Sequence, residues 1–120
     1  MRAELSKTFR FDAGHHLPQA GPDHKCARPH GHGYEVTVTV AGEVDPDTGW
    51  VMDFGRIKQA MEPLLARLDH GDLNEVEGLD NPTSEMLARW FWDHLQPGIA
   101  ELQSVAIRET PTSCCVYRGE

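Results

Sequence analysis

A chain of 120 residues is long enough to bury one core without disulfide or metal staples, and is expected to form a single domain over residues 1–120. With 39% hydrophobic and 25% charged residues, and no apolar run near the ~20 residues of a membrane span, it reads as a globular protein with no membrane partner. A formal charge of −8 argues against nucleic acid, which needs a basic footprint, yet leaves a small anionic substrate open, because charge at a pocket can oppose the global sign.

The three cysteines are odd in number and two are adjacent, Cys114 and Cys115, which suits no disulfide framework. The segment Met1 to Leu5 holds no signal-peptide core. A reducing cytoplasm is therefore the expected compartment.

From Ala3 to Ala13 the residues alternate: Leu5, Phe9, Phe11 and Ala13 share one parity, and Glu4, Ser6, Thr8 and Arg10 the other. Period two predicts a half-buried strand, with Lys7 breaking the apolar parity near an edge. His15 continues the apolar parity and His16 the polar one, so parity favours His15 as a metal ligand unless Gly14 bulges the strand. Leu17 to Pro29, which contains Pro18, Gly21, Pro22 and Pro29, predicts a loop. Within it Lys25 and Arg28 flank Cys26, and neighbouring cations favour thiolate over thiol, which marks Cys26 as a reactive cysteine.

Gly33 to Glu43 alternates again, with Tyr34, Val36, Val38 and Val40 set against Glu35, Thr37, Thr39 and Ala41. His30 and His32 extend the apolar parity of this second strand. Two imidazoles on one face, with a glycine between them, can supply two corners of a zinc site, although a bare His-x-His is weak by itself. Asp45 to Gly49 signals a turn, and Trp50 to Met52 either a short strand or a lead into the next element. Asp53 suits the N-cap of a helix from Phe54 to about Leu68, whose apolar stripe is Ile57, Met61, Leu64, Leu65 and Leu68. Pro63 is expected to kink or split that helix. Asp69 and His70 follow at its end, where a cationic imidazole suits the helix C-terminus.

Glu75 to Asp80 is an acidic connector, and Asn81 to Glu85 opens a second helix, with Thr83 or Ser84 as cap and Glu85 in its first turn. Met86, Leu87, Trp90, Phe91 and Leu95 form its apolar face, and Gln96-Pro97-Gly98 ends it. Ser104 to Glu109 predicts a strand carrying Val105, Ile107 and Glu109 on one parity; a carboxylate closing an apolar face needs a partner or a ligand. Cys114 to Tyr117 predicts a short last strand, with both cysteines read as small core residues. The order ββααββ implies an α+β fold, an antiparallel sheet with helices on one face. His15, His30, His32 and Glu109 all fall at the ends of apolar strand faces, and that convergence points to a site.

Six fragments in this order carry a resemblance: Phe9 to His15, Cys26 to His32, Asp53-Phe54, Leu68 to His70, Asn81 to Glu85, and Glu109 to Glu120. The chain resembles the 6-pyruvoyl-tetrahydropterin synthase family, and within it the bacterial branch that makes 6-carboxytetrahydropterin for queuosine (7-deazaguanine) biosynthesis. Three residues separate Cys26 from His30, as in that branch, where the pyruvoyl-forming branch has a longer gap. The resemblance implies the tunnelling fold: four antiparallel strands and two helices, trimers closing a barrel, and two trimers stacked into a homohexamer. It implies 7,8-dihydroneopterin triphosphate as substrate, and Zn²⁺ held by His15, His30 and His32. It also implies Cys26 as general base, with Asp69 and His70 setting its protonation state. Glu109 is the implied anchor of the pterin's amino-pyrimidine edge, and Thr83, Ser84 and Glu85 lie near the pterin, contributed by a neighbouring subunit. His16 departs from related sequences, which often carry Arg there. The competing readings are a pyruvoyl-forming enzyme, a non-catalytic zinc or pterin-binding module, and a zinc hydrolase.

Overall fold

The computed structural model describes residues 1–120 and is elongated, 56 × 24 × 23 Å. The length comes from two strands, β1 (Arg2–His15) and β2 (His30–Glu43), paired antiparallel in unbroken register from Arg2 opposite Glu43 to His15 opposite His30. At roughly 3.3 Å of rise per residue, such strands set the long axis by themselves. Gly14 lies opposite Gly31 within the ladder and makes no bulge, so the parity that carries His15 onto the apolar face survives to the end of the strand.

α1 (Phe54–Leu68) follows the turn, with the Asp53 carboxylate accepting from the Gly55 N–H at 2.9 Å. Pro63 does not split it. The carbonyl that a proline leaves unbonded belongs to the residue four back, Gln59, an exposed position on the helix. After α1 the chain forms β3 (Gly71–Asp72), then α2 (Ser84–Leu95), β4 (Leu102–Thr110) and β5 (Ser113–Tyr117). Thr83 is the cap of α2, its hydroxyl accepting from the Met86 N–H, which leaves the Ser84 hydroxyl free for another partner.

The sheet runs β3-β1-β2-β4-β5. Four strands were expected and all pair antiparallel; the fifth, β3, has only two residues and pairs parallel with Ala13 and Gly14, so the sheet is mixed. So short a strand leaves no periodicity in the sequence. Trp50 to Met52 forms no strand. One sheet face packs on the helices, and β2 supplies its centre with Val36, Val38 and Val40, none of them exposed. Full burial of each such side chain contributes about 1.5–3 kcal/mol. Ile57, Met61 and Leu68 of α1 and Leu87, Phe91 and Leu95 of α2 close the core from above.

The cysteine pair departs from expectation. β5 has a neighbour only in β4, and Cys115, opposite Ile107, turns toward the core while Cys114 is exposed. Adjacent strand residues point to opposite faces, so both could not be core residues.

Candidate active site

At the end of the long ladder the three imidazoles meet. His15, His30 and His32 have ring centroids 4.4, 4.8 and 5.0 Å apart, and one nitrogen from each lies within 4.8 Å of the others. Two of them sit directly opposite in register and the third lies two residues along the same face. Each ring has its own constraint. His15 is 2% exposed, and its Nδ1 meets the Pro82 carbonyl at 2.9 Å and the Tyr34 hydroxyl at 3.1 Å. The carbonyl can only accept, so Nδ1 carries the proton and Nε2 keeps its lone pair. His30 Nδ1 likewise meets the Arg28 carbonyl at 2.7 Å.

Burial pushes the His15 pKa down, against the opposing pull of the Pro82 carbonyl and the Glu109 charge, which favours the neutral ring. Burial, and then Glu109, push the Tyr34 phenol up, so it stays a neutral hydroxyl. The His15 Nε2 is buried with no hydrogen-bond partner. An orphaned buried lone pair facing two more imidazoles is a donor set that can hold a metal ion.

Glu109 borders this cluster. Its Oε2 lies 3.8 Å from His32 Nε2, and the Ser84 hydroxyl donates to its Oε1 at 2.8 Å. The carboxylate also lines a cleft of about 400 Å³ with Ser84, Glu85, Thr110 and Cys115. Held by a single hydroxyl, it retains acceptor capacity toward the cleft.

The sequence profile of the 6-pyruvoyl tetrahydropterin synthase family matches residues 4–120. The chain belongs to that family. It is 41% identical over 119 positions to the 6-carboxy-5,6,7,8-tetrahydropterin synthase of Synechocystis, covering 94% of this chain and 91% of the relative. The human 6-pyruvoyl tetrahydrobiopterin synthase is 35% identical over 139 positions, covering 99% and 93%. The structure of the Caenorhabditis elegans 6-pyruvoyl tetrahydropterin synthase superposes with a TM-score of 0.92 at 30% identity, covering 100% of this chain and 97% of that one. The fold is thus the tunnelling fold expected, and the chain is an enzyme of the 6-pyruvoyl tetrahydropterin synthase family.

Within this synthase the remaining residues divide. Cys26 sits in a short 3₁₀ turn, Lys25–Ala27; its N–H donates to His24 Nδ1 at 3.0 Å and its carbonyl accepts from Leu17 at 2.6 Å. It is half-buried and stands outside the imidazole cluster. Asp69 and His70 lie across the sheet edge from β1. Asp69 Oδ1 accepts from the Asp12 N–H at 3.0 Å, and its Oδ2 meets His70 Nδ1 at 3.1 Å. The Asp12 N–H first, and His70 after burial's opposing effect, hold the Asp69 carboxyl below its usual range. Their bonds run to β1 and to each other, and none reaches the Cys26 thiol within one chain.

His16 is also outside the cluster. Its backbone is clamped by the Asn74 side chain, N–H to Oδ1 at 2.9 Å and carbonyl from Nδ2 at 3.0 Å. Thr83 is committed to capping, whereas Ser84 and Glu85 line the Glu109 cleft. Sequence reasoning missed Tyr34 and Pro82. Tyr34 shares the His30–His32 parity and could have been found by extending it; a backbone carbonyl such as that of Pro82 leaves no residue-type signal.

Proposed function

We propose that this enzyme converts 7,8-dihydroneopterin triphosphate and water to 6-carboxy-5,6,7,8-tetrahydropterin, acetaldehyde and triphosphate, as a zinc-dependent lyase of cytoplasmic queuosine biosynthesis. The observation that carries the reading is the buried, unpartnered His15 Nε2 set among His30 and His32 beside Glu109.

His15, His30 and His32 would hold Zn²⁺, which supplies Lewis-acid polarisation of the substrate's side-chain oxygens when bound. Glu109, oriented by Ser84, accepts the N–H groups of the amino-pyrimidine edge, a charge-assisted pairing. That contact orients the pterin so that its side chain lies toward the histidines. Cys26 thiolate takes a proton from the substrate's side-chain carbon, a positioned transfer worth roughly 10²–10⁴-fold. Asp69 and His70 reset the thiol. Because no bond joins those two to Cys26 in a single chain, the reading includes a homo-oligomer, a hexamer of two trimers, in which neighbouring subunits complete each site.

The branch assignment is supported by the three-residue gap between Cys26 and His30. It is also supported by the 41% identity to the Synechocystis relative, a 6-carboxy-5,6,7,8-tetrahydropterin synthase. A pyruvoyl product is the second reading, favoured by that human relative's 35% identity. Mass spectrometry of products from zinc-loaded protein separates them. A carboxytetrahydropterin with acetaldehyde is expected; a pyruvoyl product overturns the branch, and intact substrate overturns the activity.

A further inference from the structure

Asp12 is the one carboxylate beside Asp69 and His70 that no step above employs. It lies on the sheet face opposite His15, and its backbone builds the turn that carries the pair. The Asp12 N–H donates to Asp69 Oδ1 at 3.0 Å, and the Asp12 carbonyl accepts from the His70 N–H at 2.6 Å. His70 is the sole non-glycine residue in the left-handed region, at φ 60°. A Cβ makes that conformation unfavourable, so it persists where surrounding bonds impose it. The parallel pairing of Gly71 and Asp72 with Ala13 and Gly14 continues the anchorage directly afterward.

The side chains repeat the arrangement. One ligating atom from each of Asp12, Asp69 and His70 lies within 4.8 Å of the other two; Asp69 meets the imidazole directly at 3.1 Å, and the Asp12 carboxylate stands behind it as a second negative charge. Gly33, opposite Asp12 in the ladder, makes the room: a Cβ there would stand 3.2 Å from Asp12 Oδ1, tighter than an ordinary contact.

We propose that Asp12 is a further positioning residue, whose carboxylate, seated over Gly33 within 4.8 Å of the His70 imidazole, adds its charge to that of Asp69 and so favours the ring orientation from which His70 exchanges a proton with the Cys26 thiol. The inference rests on the function proposed above, in which Asp69 and His70 serve the base. Asp12 touches no substrate; it acts through His70. Its backbone bonds are kept by any side chain, so substitution isolates the carboxylate from the clamp.

The test is steady-state kinetics of the zinc-loaded full chain with 7,8-dihydroneopterin triphosphate. Asp12→Asn is expected to lower kcat about tenfold, in the range of lost supporting-shell partners, with KM, zinc content and melting temperature unchanged. Asp12→Glu, which keeps the charge, should recover most of the loss. Gly33→Ala should lower kcat through displacement of the same carboxylate, and should add little in the Asp12→Asn background, because the two act through one charged group. An unchanged kcat in Asp12→Asn, or fully additive losses in the double variant, overturns the inference while leaving the activity in place. A wild-type protein that turns over nothing overturns the proposed function first, and the role of Asp12 with it.

Discussion

Replacing Glu109 by Gln removes one charge and almost no volume, which makes it the sharpest probe of pterin recognition. The side chain is 23% exposed, and the Ser84 hydroxyl, 2.8 Å from Oε1, can still donate to an amide oxygen. Fold and melting temperature should therefore change little. The binding cost is larger. In the proposed reading Glu109 offers an acceptor to each of two pterin N–H donors, and hydrogen bonds to a charged group contribute about 1.5–3 kcal/mol each. The amide keeps one acceptor and turns an NH₂ toward the other donor, so one bond becomes a clash of donors. A loss of about 3 kcal/mol corresponds to a roughly hundredfold weaker Kd. Neopterin fluorescence, titrated with zinc-loaded wild-type and Glu109→Gln protein, measures it directly. Ser84→Ala should give a smaller loss of the same kind, because it releases the carboxylate without removing it. An unchanged Kd in Glu109→Gln, with the protein folded and metal-loaded, would refute the anchoring role and the reasoning behind it.

Cys26→Ala is expected to abolish turnover while zinc and pterin binding persist, since Cys26 stands outside the imidazole cluster; metal analysis that finds zinc lost would make the thiol a ligand instead. Tyr34→Phe deletes the hydroxyl 3.1 Å from His15 Nδ1 and should weaken zinc about tenfold, read by competition with a chromophoric chelator; equal affinity removes Tyr34 from the ligand's support. The Asp69 carboxyl titrates below its unfolded value of 3.8, so it favours the folded state above that pH and loses the effect as pH falls through the folded pKa. Asp69→Asn should accordingly flatten the acid limb of stability against pH below 3.8, in denaturant titrations, and an identical limb would show that the bonds to Asp12 and His70 do not bias its ionisation.

What the chain determined by itself was periodic. Two alternating strands place every second residue on one face, and that local geometry suffices to bring His15, His30 and His32 to one end of an apolar surface. It held because Gly14 and Gly31 pair without a bulge, so no register slip moved the histidines to the other face. Both helices were legible, Asp53 as one cap and Thr83 or Ser84 as the other, since caps and stripes are short-range signals; the structure chose Thr83.

Tertiary structure decided everything that depends on distant or backbone partners. The His15 tautomer rests on the carbonyl of Pro82, 67 residues away, and any residue there offers the same atom. Ser84 meets Glu109 across 25 residues because Thr83 takes the capping role and frees it. Cys115 rather than Cys114 meets the core because β5 pairs on β4 with Cys115 opposite Ile107, a register set by the pairing of distant strands. Asp69 and His70, adjacent to a helix end in the sequence, are turned against β1 by the Asp12 backbone. Side-chain periodicity is written residue by residue; which carbonyl, edge or neighbouring strand receives those side chains is settled only when the layers pack.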